Sequence, residues 1–233
     1  NYGFKMSQGD YIQWFDSDDL MLPNLLCSQL NKSKESNCNF VICLSKIYND
    51  KFNEVILNRK NIKITSSLYN DFVSKKINVS LLTFFVTRES VQGYSFNEKL
   101  KKSQEYDFFS NFFLTNNSYA INSVHLVKVR SHLGNISSSF QKDKYKIDSF
   151  LVARENILIK MPFEINLKVK NKVQKDYLRG LRILLLNNYL LFYYKNCFSS
   201  LKSLSPLKIK ILKYIFFGTL FALTGRFYKY LPK

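Results

Sequence analysis

The chain has 233 residues, a formal net charge of +18, and 46% hydrophobic and 16% aromatic residues. That length allows one good-sized domain, or a small domain with an appendage, and the apolar content is ample for a core. The positive surplus points to a polyanionic partner: nucleic acid, an acidic membrane surface or phosphorylated substrates.

Taken in chain order, Tyr11–Phe15 is a short apolar and aromatic run of the kind that forms a buried strand. It stops at three carboxylates, Asp16, Asp18 and Asp19. Like charges at that spacing raise one another's pKa unless something positive sits among them. A hard divalent cation, Mg²⁺ or Mn²⁺, takes oxygen ligands and is usually shared with phosphate. The plainer reading is a solvated acidic turn that caps the helix opening after Pro23, over Asn24–Leu30.

Residues 31–37 form a polar loop, Phe40–Leu44 a strand, and Asn49-Asp50-Lys51 a polar hairpin leading into Glu54–Leu57. Ser67–Lys75 reads as a short helix, Val79–Thr87 as a strand ending at Arg88-Glu89, and 93–100 as a loop. Helix resumes over Ser103–Phe113, and Tyr119–Val129 is the last strand. On that helix Glu105 shares a face with Phe108 or Phe109, and a carboxylate beside aromatic packing suits a general base. Acids on amphipathic helices are ordinarily just solvated. Cys27, Cys38, Cys43 and Cys197 lack C-x-x-C spacing and nearby histidine partners, which argues against a zinc site and favours free, partly buried thiols in a reducing compartment.

From Ile157 to Lys233 there are fifteen Lys or Arg against two acids, Glu164 and Asp176. Basic residues border two uncharged runs there, Arg182 and Lys195 around Ile183–Tyr194, Lys213 and Arg226 around Tyr214–Gly225. Twelve residues fall short of the ~20 needed to cross a membrane. They fit amphipathic helices on an anionic surface, or a helical tail packed on the domain or a partner subunit.

Several of these stretches together resemble family 2 glycosyltransferases, enzymes of GT-A fold that use nucleotide-diphosphate sugars. The resemblance is carried by Asn1-Tyr2-Gly3, Gly9-Asp10-Tyr11-Ile12, Phe15-Asp16-Ser17-Asp18-Asp19 and Pro23. It continues through Phe96, Leu100, Gln104-Glu105-Tyr106-Asp107, and Val129-Arg130-Ser131-His132 with Asn135-Ile136-Ser137. It implies an α/β fold: the C-terminal part of a GT-A domain over 1–139, followed by a basic amphipathic helical tail over 140–233. It further implies a fragment lacking the N-terminal nucleotide-binding half, and inactive by itself.

By that resemblance Asp16 and Asp18 are the DxD pair, with Asp18 the main ligand of Mg²⁺ or Mn²⁺ and Asp19 a possible second. Glu105 matches the acceptor-side base, with Asp107 as fallback, and the family's Arg that often follows is replaced by Phe109-Ser110-Asn111-Phe112. Arg130 and His132 would present donors to the diphosphate. The expected activity is inverting, hexosyltransferase-like transfer from a nucleotide-diphosphate sugar to a saccharide or lipid-linked acceptor, in cell-surface polysaccharide or glycolipid assembly. The tail would hold the enzyme on the cytoplasmic face of the cell membrane, and no nucleic-acid partner is expected. The rival is a non-enzymatic basic module gripping nucleic acid or anionic membrane. An inactive relative kept as a scaffold is a third reading, opposed by the intact acids of both motifs.

Overall fold

A computed structural model of the chain describes residues 1–58, 61–132, 140–204, 207–225 and 231. Asn135-Ile136-Ser137 and Arg226 lie outside these described residues. The chain forms two compact units, Asn1–Phe96 with Phe108–Ser138, and Asn97–Asp107 with Ser139–Lys233.

The first unit is built on a mixed sheet. Its elements are α1 (Tyr2–Met6), β1 (Tyr11–Gln13), β2 (Leu20–Met21), α2 (Leu25–Glu35), β3 (Phe40–Tyr48), β4 (Val55–Asn58), α3 (Leu68–Val73), β5 (Phe84–Thr87), α4 (Arg88–Val91), α5 (Gln104–Thr115, whose first turn belongs to the second unit) and β6 (Tyr119–Arg130). Among the described residues the strands run β1-β5-β3-β6-β2, and β4 also pairs with β3. β3 and β6 are parallel, from Phe40 opposite Tyr119 to Tyr48 opposite Arg130, and the other pairings are antiparallel.

The residues of β3 explain its central place. Phe40–Ser45 are all buried, as in a strand covered on both faces. Phe40 packs on Phe112 of α5 at 5.1 Å, and Cys43 clusters with Leu25 of α2, Leu126 and Val127. Phe84 of β5 meets Phe109 edge-on at 5.0 Å and Phe112 at 5.3 Å. Much of the aromatic content is thus spent in one core, where each fully buried Phe contributes roughly 1.5–3 kcal/mol by burial.

The Val79–Thr87 run is a strand only over Phe84–Thr87; Leu81–Thr83 forms a 3-10 turn. Ser80 precedes that turn, and the Thr83 hydroxyl donates to its carbonyl at 2.9 Å. A local side-chain bond of this kind competes with a sheet ladder. Asp71 of α3 is buried, yet its carboxylate accepts from Thr65 and Ser66 and lies 3.4 Å from the Lys76 ammonium.

The second unit is helical: α6 (Lys144–Lys160), α7 (Leu167–Leu186), α8 (Leu190–Ser203) and α9 (Lys208–Thr224). Ile147, Leu151, Tyr177, Leu181, Tyr193, Cys197, Ile211 and Tyr214 lie in its core. At Gly180 and Gly218 an added Cβ would collide with Leu151 and Tyr193, so these glycines let neighbouring helices close up. The uncharged run Ile183–Tyr194 is not one helix. It breaks at Asn187-Asn188-Tyr189, where Asn188 takes a left-handed φ of 58°, a conformation Asn tolerates better than most residues. Among the described residues no helix is long and apolar enough to cross a membrane.

All four cysteines are free, with Cys27 exposed and the others buried. Burial pushes the Cys43 and Cys197 thiols up to about 12, which makes them inert at neutral pH.

Candidate active site

The acidic turn is held at both ends. On its N-terminal side, Gln13 pairs with Phe85 and its side-chain amide donates to the carbonyls of Leu81 and Leu82, each at 3.1 Å. Trp14 then enters the aromatic core, edge-on to Phe108 at 5.8 Å and to Phe96 at 5.9 Å. On the C-terminal side, β2 pairs Leu20 with Lys128 and Met21 with Val127 of β6. The chain must therefore reverse between Phe15 and Leu20, and it does so with the Asp19 amide on the Asp16 carbonyl at 3.4 Å.

That reversal gathers three carboxylates whose oxygens lie within 4.8 Å of one another. Partial burial raises the pKa of Asp16 first, and the Asp18 charge raises it further. Asp19 is raised chiefly by burial, then by Asp18 and Asp16, against the lowering effect of the Arg130 amide. Asp18 moves the other way, held down mainly by its hydrogen bond with His132. The imidazole Nε2 is 3.2 Å from Asp18 Oδ2, and the Arg130 backbone amide donates to Asp19 Oδ1 at 2.7 Å.

Pairing of β2 with β6 thus brings five expected residues together: Asp16, Asp18, Asp19, Arg130 and His132. The parallel pairing of β3 adds two that sequence reading missed. The Arg130 guanidinium lies 3.6 Å from Asp50 Oδ1 and 4.7 Å from the centre of the Phe52 ring, both on the β3–β4 hairpin. Its Nε is buried with no hydrogen-bond partner among the described residues. The hairpin was legible as Asn49-Asp50-Lys51, but nothing local marked Asp50 or Phe52 as neighbours of Arg130. The set of hard oxygen donors with one imidazole fits a divalent cation of the Mg²⁺ or Mn²⁺ type.

Glu105 and Asp107 occupy the first turn of α5, in the segment that belongs to the second unit. Glu105 is half-buried. Asp107 is buried and accepts a hydrogen bond from the Asn156 amide at 3.0 Å. The start of this helix is braced by Arg154, whose guanidinium donates to Ser103 Oγ at 3.0 Å and lies 4.3 Å from the Tyr106 ring centre. Burial lowers the Arg154 pKa to about 10, still charged at neutral pH.

Comparison with known proteins takes in the acidic turn. Residues 1–95 match the sequence model of glycosyl transferase family 2. An uncharacterized glycosyltransferase of Rickettsia bellii (strain RML369-C) is 26% identical across 78% of this chain and 30% of its own length. Among solved structures, S. aureus TarS 1–349 in complex with UDP-GlcNAc superposes with a TM-score of 0.56 at 16% identity, covering 97% of this chain and 61% of that one. The same TarS region in complex with UDP gives 0.51 at 16% identity, with 97% and 60% covered. The chain therefore spans less than two thirds of these relatives. These likenesses support a glycosyltransferase, with the family 2 pattern over the first 95 residues and a fold resembling a GT-A domain followed by helices.

Proposed function

We propose that the chain is the metal- and acceptor-handling part of an inverting glycosyltransferase. It moves a hexose-type sugar from a nucleoside-diphosphate donor to a hydroxyl of a saccharide or lipid-linked acceptor, in cell-surface polysaccharide or glycolipid assembly. The observation that carries this reading is the convergence of Asp16, Asp18 and Asp19 with His132 and Arg130, supported by the family 2 match over the same acids. That S. aureus TarS has been crystallised with UDP-GlcNAc and with UDP supports a nucleotide-sugar donor.

Asp18 and His132 would hold Mg²⁺ or Mn²⁺, with Asp16 or Asp19 beside them, and the bound cation would supply neutralisation of the leaving diphosphate. Arg130 offers a fixed cation, oriented by Asp50 and Phe52, to the same anionic groups. Glu105 takes the proton from the acceptor hydroxyl, leaving its oxygen free to attack the anomeric carbon from the face opposite the leaving group. Asp107, buried behind Asn156, serves to fix the helix start.

Titration calorimetry with UDP and Mn²⁺ tests the donor half of the reading. Binding that needs the cation and is lost in Asp18→Ala is the expected result. Equal binding in chelator would overturn the metal assignment. Product analysis by NMR, starting from an α-linked donor, decides between inversion and retention.

A further inference from the structure

We propose that the outer face of α8 and α9 docks on an anionic lipid bilayer, as an interfacial patch that does not cross it. This rests on the helical unit alone and is independent of the donor-site reading. α9 is apolar on two opposite sides. One side, with Ile211, Tyr214 and Gly218, is buried in the unit. Roughly half a turn away, Ile209, Leu212, Phe216, Leu220 and Leu223 follow helical spacing along a single stripe. Four of them are strongly exposed: Ile209 73%, Leu212 55%, Phe216 61% and Leu223 79%.

α8 repeats the pattern with cations interleaved. Leu191 and Phe198 are exposed at helical spacing, with Lys195 and Lys202 between and after them. Lys195 is held 3.1 Å from Asp148, Lys202 is exposed in the last turn of α8, and the exposed Lys208, Lys210 and Lys213 lie on the first turns of α9, where its stripe begins. Its far half, from Tyr214 to Thr224, carries no charge at all.

Charge decides the occupant. From Tyr177 to Lys233 the sequence contains no acid. A second copy seated on this face would set lysines against lysines, with no acid on α8 or α9 themselves to offset them. An anionic bilayer instead offers headgroups to the lysine rim and an acyl boundary to Leu, Ile and Phe. Among the described residues no helix is long and apolar enough to cross a bilayer, and in-plane seating suits side chains arranged in this way. Such placement would keep the protein on the inner face of the cell membrane, where anionic lipid faces the cytoplasm.

Vesicle co-sedimentation of the whole chain tests the proposal, with phosphatidylcholine vesicles against vesicles containing phosphatidylglycerol. Binding only to the anionic vesicles, weakened by added salt, is the expected result. Leu212→Ser with Phe216→Ser should cut it by about tenfold or more, and Lys208→Glu with Lys210→Glu and Lys213→Glu should do the same. These side chains are exposed, so circular dichroism should show an unchanged fold. Equal recovery in the supernatant with both lipids would overturn the proposal. So would undiminished binding by both variants, or a dimer in sedimentation velocity that Phe216→Ser dissociates while no lipid is bound.

Discussion

The backbone amide of Arg130 donates to the carboxylate of Asp19 at 2.7 Å, joining residues 111 positions apart. Through this bond the last strand of the sheet sets the position of an acid in the first turn after β1. It also satisfies one oxygen of a cluster whose members otherwise repel. Removing charge from that cluster should relieve the folded state. Asp16 and Asp19 have raised pKa values, so their ionisation costs stability at neutral pH, and the cost fades as pH falls through those values. Asp16→Asn should therefore raise the melting temperature in chelator by about a degree or two. In the unsubstituted chain Mg²⁺ or Mn²⁺ should raise it too, less at acidic pH, where protons compete for the same oxygens. Differential scanning fluorimetry across pH, with and without the ions, measures both. A destabilised Asp16→Asn variant in chelator would show that the cluster is not strained.

His132 is expected to tune Asp18. Its hydrogen bond is the main cause of the lowered Asp18 pKa. His132→Ala should let that pKa rise toward the ordinary range and weaken Mn²⁺ binding by about 10–100-fold, as loss of a ligand or its supporting group does. Mn²⁺ titration followed by electron paramagnetic resonance reads the affinity directly. Unchanged affinity would make the imidazole a bystander.

The two carboxylates of α5 should separate by phenotype. Glu105→Gln keeps size and hydrogen bonding but cannot take a proton, so the proposed transfer should fall by about 10²–10⁴-fold. UDP binding should persist. Asp107→Asn should instead act on stability, because the buried Asp107 carboxylate is tied to Asn156. Steady-state kinetics alongside urea unfolding distinguishes the two. A large kinetic loss in Asp107→Asn, with stability intact, would move the base two residues along the helix.

Asp71 provides a control remote from the chemistry. Burial alone would raise its pKa, but the hydrogen bonds from Thr65 and Ser66 outweigh it and the net shift is downward. Its stabilising contribution is therefore present above the unfolded carboxylate range and is lost as pH falls through the lowered folded value. Asp71→Ala should cost about 3 kcal/mol at neutral pH, since it strips several charge-assisted bonds at one buried site. Urea unfolding at neutral pH and again at strongly acid pH should show that cost shrinking in acid.

The acid cluster was the most legible part of the site because Asp16, Asp18 and Asp19 are packed by the covalent chain itself. Arg130 and His132 were legible only through resemblance to a family, since more than a hundred positions separate them from the acids. Asp50 and Phe52 were not legible at all, because their meeting with Arg130 depends on the parallel register of β3 and β6. Local elements fared by the same rule. The Tyr119–Val129 strand was read nearly to its end, as its apolar content suffices. The break in Ile183–Tyr194 was missed because hydrophobicity is continuous across it. The Asn187-Asn188 pair was the available signal, since Asn tolerates the left-handed turn that ends α7.

The parallel pairing of β3 with β6 also bears on when the site comes into being. Parallel neighbours need a long intervening crossover, and such distant contacts form slowly. A chain emerging from the ribosome would present all three acids early, as an open, mutually repelling turn. The imidazole, the Arg130 amide and the partner strand of β2 arrive only once residues 119–132 have been made and docked. Assembly of the cluster thus follows synthesis order, and a nascent chain halted before Tyr119 would carry the acidic motif in full without its β6 partners.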